Sequence, residues 1–302
     1  MPETRPPSLI KTALLTSCAL IAFAANSVLC RLALEQPIID AASFTVIRLL
    51  SGCLSLALIV LLGAKRDRRN RRQPLLAGGS WRASSMLFLY AVTFSFAYIS
   101  LDTGTGALVL FGAVQVSMIL ISLSTGNRLH YSEWLGVLIA FAGFVHLMLP
   151  SASRPSPIGF LLMVLAGTAW GVYTLVGRGS TRPLADTAAN FIRTLPFVAI
   201  LALVAVIQLQ LSLKGVLLAA VSGALASAIG YIIWYSALAG LSATQAAVVQ
   251  LLVPVIAALG GVIFAGEQIS LRLVFSAMMI LGGILIVVLG RYYLVRRTTS
   301  RT

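Results

Sequence analysis

Pro150-Ser-Ala-Ser-Arg-Pro-Ser-Pro157 is a polar, proline-broken interval between two long series of apolar segments. Three prolines interleaved with serines cannot continue a helix, so the stretch reads as a linker. Before it, apolar spans fall at 10–33, 40–63, 83–101, 103–124 and 132–149; after it, at 157–177, 185–207, 214–236, 242–265 and 270–294. A hydrocarbon core roughly 30 Å thick takes about 20 apolar residues per crossing, which these spans supply. Backbone polar groups in lipid must be satisfied within their own segment, and strict strand alternation is absent, so helices are expected. Working outward from the linker, the expected fold is an all-α membrane protein with ten transmembrane helices. A five-helix repeat at 9–149 is joined by a periplasmic linker at 150–156 to a second at 157–294, followed by a cytoplasmic tail at 295–302. Five is an odd number of crossings, so the second repeat enters the membrane from the opposite side and the topology is inverted.

The composition agrees. The chain is 59% hydrophobic and holds only 8 acidic residues among 302, an apolar surplus that has to face lipid. The first span is too long, and followed by too many others, to read as a cleaved signal peptide. A formal net charge of +14 raises the question of a nucleic-acid partner, but the basic residues are scattered between spans rather than gathered on one module. Their placement sets orientation instead. With the N-terminus inside, the cytoplasmic segments hold sixteen basic residues, including the run Lys65, Arg66, Arg68, Arg69, Arg71 and Arg72, whereas the outer segments hold four: Arg31, Arg154, Lys214 and Arg272. That asymmetry puts both termini in the cytoplasm, and the expected location is the inner (plasma) membrane.

The halves echo each other. Ile47-Arg48-Leu49 matches Ile192-Arg193-Thr194 at an offset of 145, which also puts Ala25-Asn26 on Trp170-Gly171. In the last three spans the offset is 140, pairing Phe94 with Trp234, Gly126-Asn127 with Gly266-Glu267, and Gly143 with Gly283. On Trp170-Gly171, Arg48, Arg193 and Gly266-Glu267, the chain resembles the EamA-type exporters of the drug/metabolite transporter superfamily. It departs from their pattern at Ala25-Asn26 and at Asn127. Within the superfamily it is most similar to bacterial amino-acid exporters of the YddG type, and that resemblance implies export of aromatic and other neutral amino acids.

Polar side chains deep in a bilayer are costly, so they pair between helices or line a wet cavity. Counting about 1.5 Å per residue from the span ends places Asn26, Tyr90, Gln115, Trp170, Tyr173, Tyr231 and Gln250 in the middle half of the membrane. With Trp234, one turn from Tyr231, they form the candidate substrate-binding set, although aromatics also simply fill helix contacts. Aromatic faces with a few amides suit a mostly apolar or zwitterionic solute. Pro196 and Pro254 remove backbone bonds to Ile192 and Gln250 and are candidate hinges. By exclusion the second, fifth, seventh and tenth spans form an outer scaffold. Arg48 and Arg193 there either snorkel or cap carbonyls, or else serve as a pair of carboxylate anchors. Gly136, Gly143, Gly283 and Gly290 recur at seven-residue spacing and predict that the fifth and tenth spans pack closely on each other or on a second protomer.

Asp40, Asp102, Glu133, Asp186 and Glu267 all fall at span ends, and His130 and His146 at or near loops, so obligate proton coupling is not expected. Cys18, Cys30 and Cys53 lack metal-ligand spacing, and no cofactor or metal is expected. An intramembrane enzyme is disfavoured because the chain has neither an HExxH pair nor a Gly-x-Ser-x-Gly elbow. A multidrug exporter of the same superfamily and a non-catalytic channel are the other readings. The expected partners are a small-molecule substrate and membrane lipid.

Overall fold

The computed structural model describes residues 9–36, 38–66, 76, 78–124, 131–148, 155–177, 180, 182–206, 209–238, 240–241, 246 and 249–299. Residues 150–154 of the linker, Gly126-Asn127, His130 and most of the basic loop at 64–82 lie outside them.

The described residues are helical: α1 (Leu9–Leu34), α2 (Ala41–Arg66), α3 (Trp81–Ala97), α4 (Thr103–Ser124), α5 (Tyr131–Met148) and α6 (Pro157–Gly177). They continue as α7 (Pro183–Arg193), α8 (Leu195–Ala205), α9 (Leu213–Val221), a π-helical segment (Ser222–Ile229), α10 (Gly230–Leu238), α11 (Val253–Ala265) and α12 (Leu271–Thr299). Among the described residues seven helices are long and apolar enough to cross a membrane, and Glu133–Met148 and Val253–Ala265 are shorter apolar helices. Among the described residues the sole β-type pairing is an isolated antiparallel bridge between Ile39 and Leu211. Leu54, Phe141, Leu203 and Ile263 lie exposed on outward helix faces, where lipid rather than water suits them.

Local chemistry explains the boundaries. Ser80 and Ser212 are N-caps whose hydroxyls accept from Ala83 N at 3.1 Å and Gly215 N at 3.0 Å. Gly266, at φ +66°, closes α11 in the left-handed conformation that glycine adopts without a Cβ clash. Pro196 and Pro254 each sit in the first turn of a new segment, α8 and α11, so the seventh span is broken at Thr194 and the ninth before Val253. Residues 295–299, expected in the tail, continue α12.

Two close approaches organise the packing. A Cβ on Gly136 would collide with the Gly283 carbonyl oxygen and one on Gly143 would lie 2.8 Å from Ile280, so α5 and α12 meet backbone to backbone. Likewise a Cβ on Gly223 would strike the carbonyl oxygen of Arg48, and one on Gly52 would lie 2.7 Å from the Phe191 ring. The small residues of the π-helical segment therefore let one face of α2 pack directly on it, while Leu54 and Leu58 on the opposite face stay exposed.

Candidate functional site

Between the two ends of the bundle, Phe23, Asn26 and Ser27 of α1, Tyr90 and Phe94 of α3, Leu110 and Phe111 of α4, Trp170 of α6, Ala226 of the π-helical segment and Tyr231 of α10 enclose one cavity. Its volume is about 20 Å³, room for about one water molecule. Trp170 is the hub of the aromatic wall. Its ring centroid lies 5.0 Å from Tyr90, 5.0 Å from Tyr231 and 5.3 Å from Tyr173, on which it stacks. These separations are in the favourable range for offset or tilted aromatic pairs.

A polar chain runs behind the rings. Ser222 donates its hydroxyl to Asn26 Oδ1 at 2.6 Å, and Asn26 Nδ2 donates to the Tyr90 hydroxyl at 3.3 Å. Arg48 Nη2 donates to the same hydroxyl at 3.0 Å, and Arg48 Nε donates to Ser227 Oγ at 3.4 Å. The guanidinium lies over Phe94 and Tyr90, its Cζ 4.8 Å and 5.2 Å from the ring centroids. Arg48 is 2% exposed, and its Nη1 has no hydrogen-bond partner among the described residues.

Of the residues singled out in the sequence, Asn26, Tyr90, Trp170 and Tyr231 come together on the cavity wall. Tyr173 backs Trp170, and Trp234 packs edge-on against Phe23 at 5.8 Å, beside Ala19 and Ala246. Gln115 is buried on α4 one turn beyond Phe111, and Gln250 is half-buried at the helix break before Pro254; neither lines the cavity. Pro196 and Pro254 lie at the broken spans described above. The sequence reading missed Phe23, Phe94, Ser222 and Ser227. Phe23 and Phe94 carried a usable signal, since they stand three and four residues from Asn26 and Tyr90 on the same helix faces.

Both ends of the bundle are tied. At one, the Glu267 carboxylate accepts from Thr103 N at 2.8 and 2.9 Å and from Thr103 Oγ1 at 2.9 Å, capping the N-terminus of α4. Arg31 bridges this carboxylate at 3.3 Å, Glu35 at 3.3 Å and Asp102 at 3.4 Å, and donates to the Tyr98 carbonyl. At the other end, Asp186 Oδ1 accepts from Gly79 N at 3.1 Å and Asn190 Oδ1 from Ser80 N at 2.8 Å. Arg193 there donates to the carbonyls of Gly78 and Leu76. Among the described residues, no three His, Cys, Asp or Glu side chains gather as a metal site would need.

Residues 157–289 match the EamA-like transporter family. A protein of Pseudomonas aeruginosa described as uncharacterized is 50% identical over 281 residues, which cover 93% of this chain and 96% of that protein. An uncharacterized transporter of Archaeoglobus fulgidus is 28% identical over 240 residues, covering 78% of this chain and 84% of its own. One solved crystal structure superposes with a TM-score of 0.60 at 18% identity, covering 93% of this chain and 98% of that one, a likeness of fold.

Proposed function

The chain belongs to the EamA-like transporter family, and is thus a membrane transporter of the drug/metabolite transporter superfamily, and from that premise we propose that it exports neutral and aromatic amino acids. The observation that carries the reading is the Tyr90–Trp170–Tyr231 wall, an aromatic enclosure supplied by α3, α6 and α10 with the Asn26 amide set into it. Aromatic faces offer area to an apolar side chain, and the amide and hydroxyls offer hydrogen bonds to a zwitterion.

In this reading the protein is two inverted five-helix repeats, 9–149 and 157–294, that rock about the cavity by alternating access. The helix breaks at Pro196 and Pro254 supply hinges. The Glu267 end faces the periplasm and the Asp186 end the cytoplasm, with both termini cytoplasmic and the chain in the inner membrane. Asn26, Tyr90, Trp170 and Tyr231 contact the solute, Gln115, Tyr173 and Trp234 form the layer behind them, and Gln250 follows the motion of the ninth span. The protein catalyses no covalent step and needs neither cofactor nor metal.

The test is solute flux. Cells overproducing the protein should survive toxic analogues of aromatic amino acids, and proteoliposomes should exchange radiolabelled L-phenylalanine. Survival on cationic dyes and drugs in place of amino-acid analogues would point to the multidrug reading, and single-channel current to a channel. A cysteine at position 70 should be labelled only from the cytoplasmic side; labelling from outside intact cells would reverse the topology.

A further inference from the structure

We propose that the solute is recognised through an anionic group, and that Arg48, acting through Tyr90, is the residue that selects it. The inference rests on the amino-acid reading above and narrows it: the carboxylate, rather than the side chain or the ammonium group, is what the cavity requires.

Arginine keeps its charge in proteins, so Arg48 brings a permanent cation into a part of the bundle where it is 2% exposed. A buried charge calls for a counter-charge and a full set of hydrogen bonds. Arg48 has neither. Its two bonds go to neutral hydroxyls, those of Ser227 and Tyr90, and Nη1 has no partner among the described residues. Arg31, at the Glu267 end, is ion-paired with Glu35, Asp102 and Glu267, whereas the Arg48 guanidinium's own partners are hydroxyls. Two aromatic faces compensate part of the charge but leave the donors unused.

The cavity wall transmits this charge. The Tyr90 hydroxyl accepts from both Arg48 Nη2 and Asn26 Nδ2, which occupies its lone pairs and leaves its own proton free to donate. A donor that itself accepts from a guanidinium is polarised toward stronger donation. Asn26 Oδ1, the cavity's amide acceptor, already accepts from Ser222, which leaves it one lone pair. What remains for an occupant is this donor backed by a cation, beside the hydroxyls of Ser27 and Tyr231, with no carboxylate among the lining residues. A carboxylate completes that arrangement. An ammonium group on the same solute has the faces of Trp170 and Tyr231, whereas a solute with an ammonium alone meets the like charge of Arg48 with no carboxylate of its own to offset it.

Competition against radiolabelled L-phenylalanine in proteoliposomes separates the possibilities, using 3-phenylpropionate, which keeps the carboxylate, and phenethylamine, which keeps the amine. The native protein should favour 3-phenylpropionate by about tenfold or more, the difference a charge-assisted hydrogen bond makes. Arg48→Gln should remove that preference, and Arg48→Lys should restore part of it, which a purely structural role would not do. Should Arg48→Gln fail to fold, Tyr90→Phe removes the relaying hydroxyl while keeping the ring, and the preference should fall there too. Equal competition by the two analogues, or an undiminished preference in folded Arg48→Gln or Tyr90→Phe, overturns the proposal. If 3-phenylpropionate is carried and phenylalanine is not, the amino-acid reading fails while carboxylate recognition stands. If phenylalanine is carried and phenethylamine competes as well as the acid, the reverse holds.

Discussion

Ile47-Arg48 and Ile192-Arg193 look alike along the chain, yet their arginines live in opposite circumstances. Arg193 is half-buried, and its two terminal nitrogens are satisfied by the carbonyls of Gly78 and Leu76, so it works as a strap holding the chain just before α3. Arg48 is fully enclosed, reaches two hydroxyls, and stands behind a ring of the cavity wall. Each is set beside a glycine whose constraint differs in kind. Gly79, at φ +67°, shapes the strapped segment, while Gly223 lets the π-helical segment touch the backbone of Arg48 itself. The comparison teaches that an arginine's role in such a bundle is set by how closely the neighbouring backbone approaches it.

The largest difference should come from the glycines. Gly223→Val drives a side chain into the Arg48 carbonyl, which cannot rotate away as a side chain would, so the cost should exceed the ~1–3 kcal/mol of ordinary overpacking. Gel filtration after detergent extraction should find little folded protein. Gly79→Ala forces a left-handed alanine for about 1–2 kcal/mol and also presses its Cβ on the Asn190 side-chain oxygen, which can turn aside, so most of the protein should still fold, at a lower melting temperature. If Gly79→Ala proves the worse of the two, the ranking of the two regions is wrong.

Next come the arginines themselves. Folded Arg193→Gln should bind L-phenylalanine within about twofold of the native protein but melt earlier. Its two carbonyl contacts are partly solvated, which puts their loss near the lower end of the ~1.5–3 kcal/mol for a charged hydrogen bond. Folded Arg48→Gln should show the opposite pattern, with affinity falling more than stability. Loss of affinity in Arg193→Gln with normal melting would erase the distinction.

A smaller effect belongs to the wall. Trp170→Ala removes the hub of three aromatic contacts and should cost about 0.5–1.5 kcal/mol beyond lost area, several-fold in affinity by competition binding. Gln250→Ala, off the wall, should change affinity by less than about twofold; a larger loss would put Gln250 in contact with the solute. Smallest of all is the response to a proton gradient. Among the described residues neither arginine is ion-paired with an acid, and flux into proteoliposomes should persist at equal pH with ionophore present. Abolished flux would assign coupling to the buried Glu133 or to Glu267.

These differences mark where the sequence was readable. The apolar spans, the breaks at Pro196 and Pro254 and the contact of Gly136 with Gly283 all follow from local rules: segment length, a missing N–H, and small residues at seven-residue spacing. The depth of Asn26, Tyr90, Trp170 and Tyr231 could be counted from span ends, and these four do meet. Depth says nothing, however, about which way a side chain faces around the helix axis. Arg48 lies at a depth where snorkelling or carbonyl capping is a reasonable expectation, and its actual surroundings depend on Gly52 and Gly223, residues 171 positions apart in the chain. Gln250 has the depth but not the direction.

The π-helical segment at Ser222–Ile229 has a further consequence. Its i→i+5 pattern acts as an added residue inside an otherwise α-helical span, and one residue is worth about 100° of rotation. Everything beyond it, Tyr231 and Trp234 included, owes its azimuth to that inserted phase. A family member lacking one residue in this interval would keep the same hydropathy profile and the same span length, yet turn its tyrosine away from the tryptophan of α6.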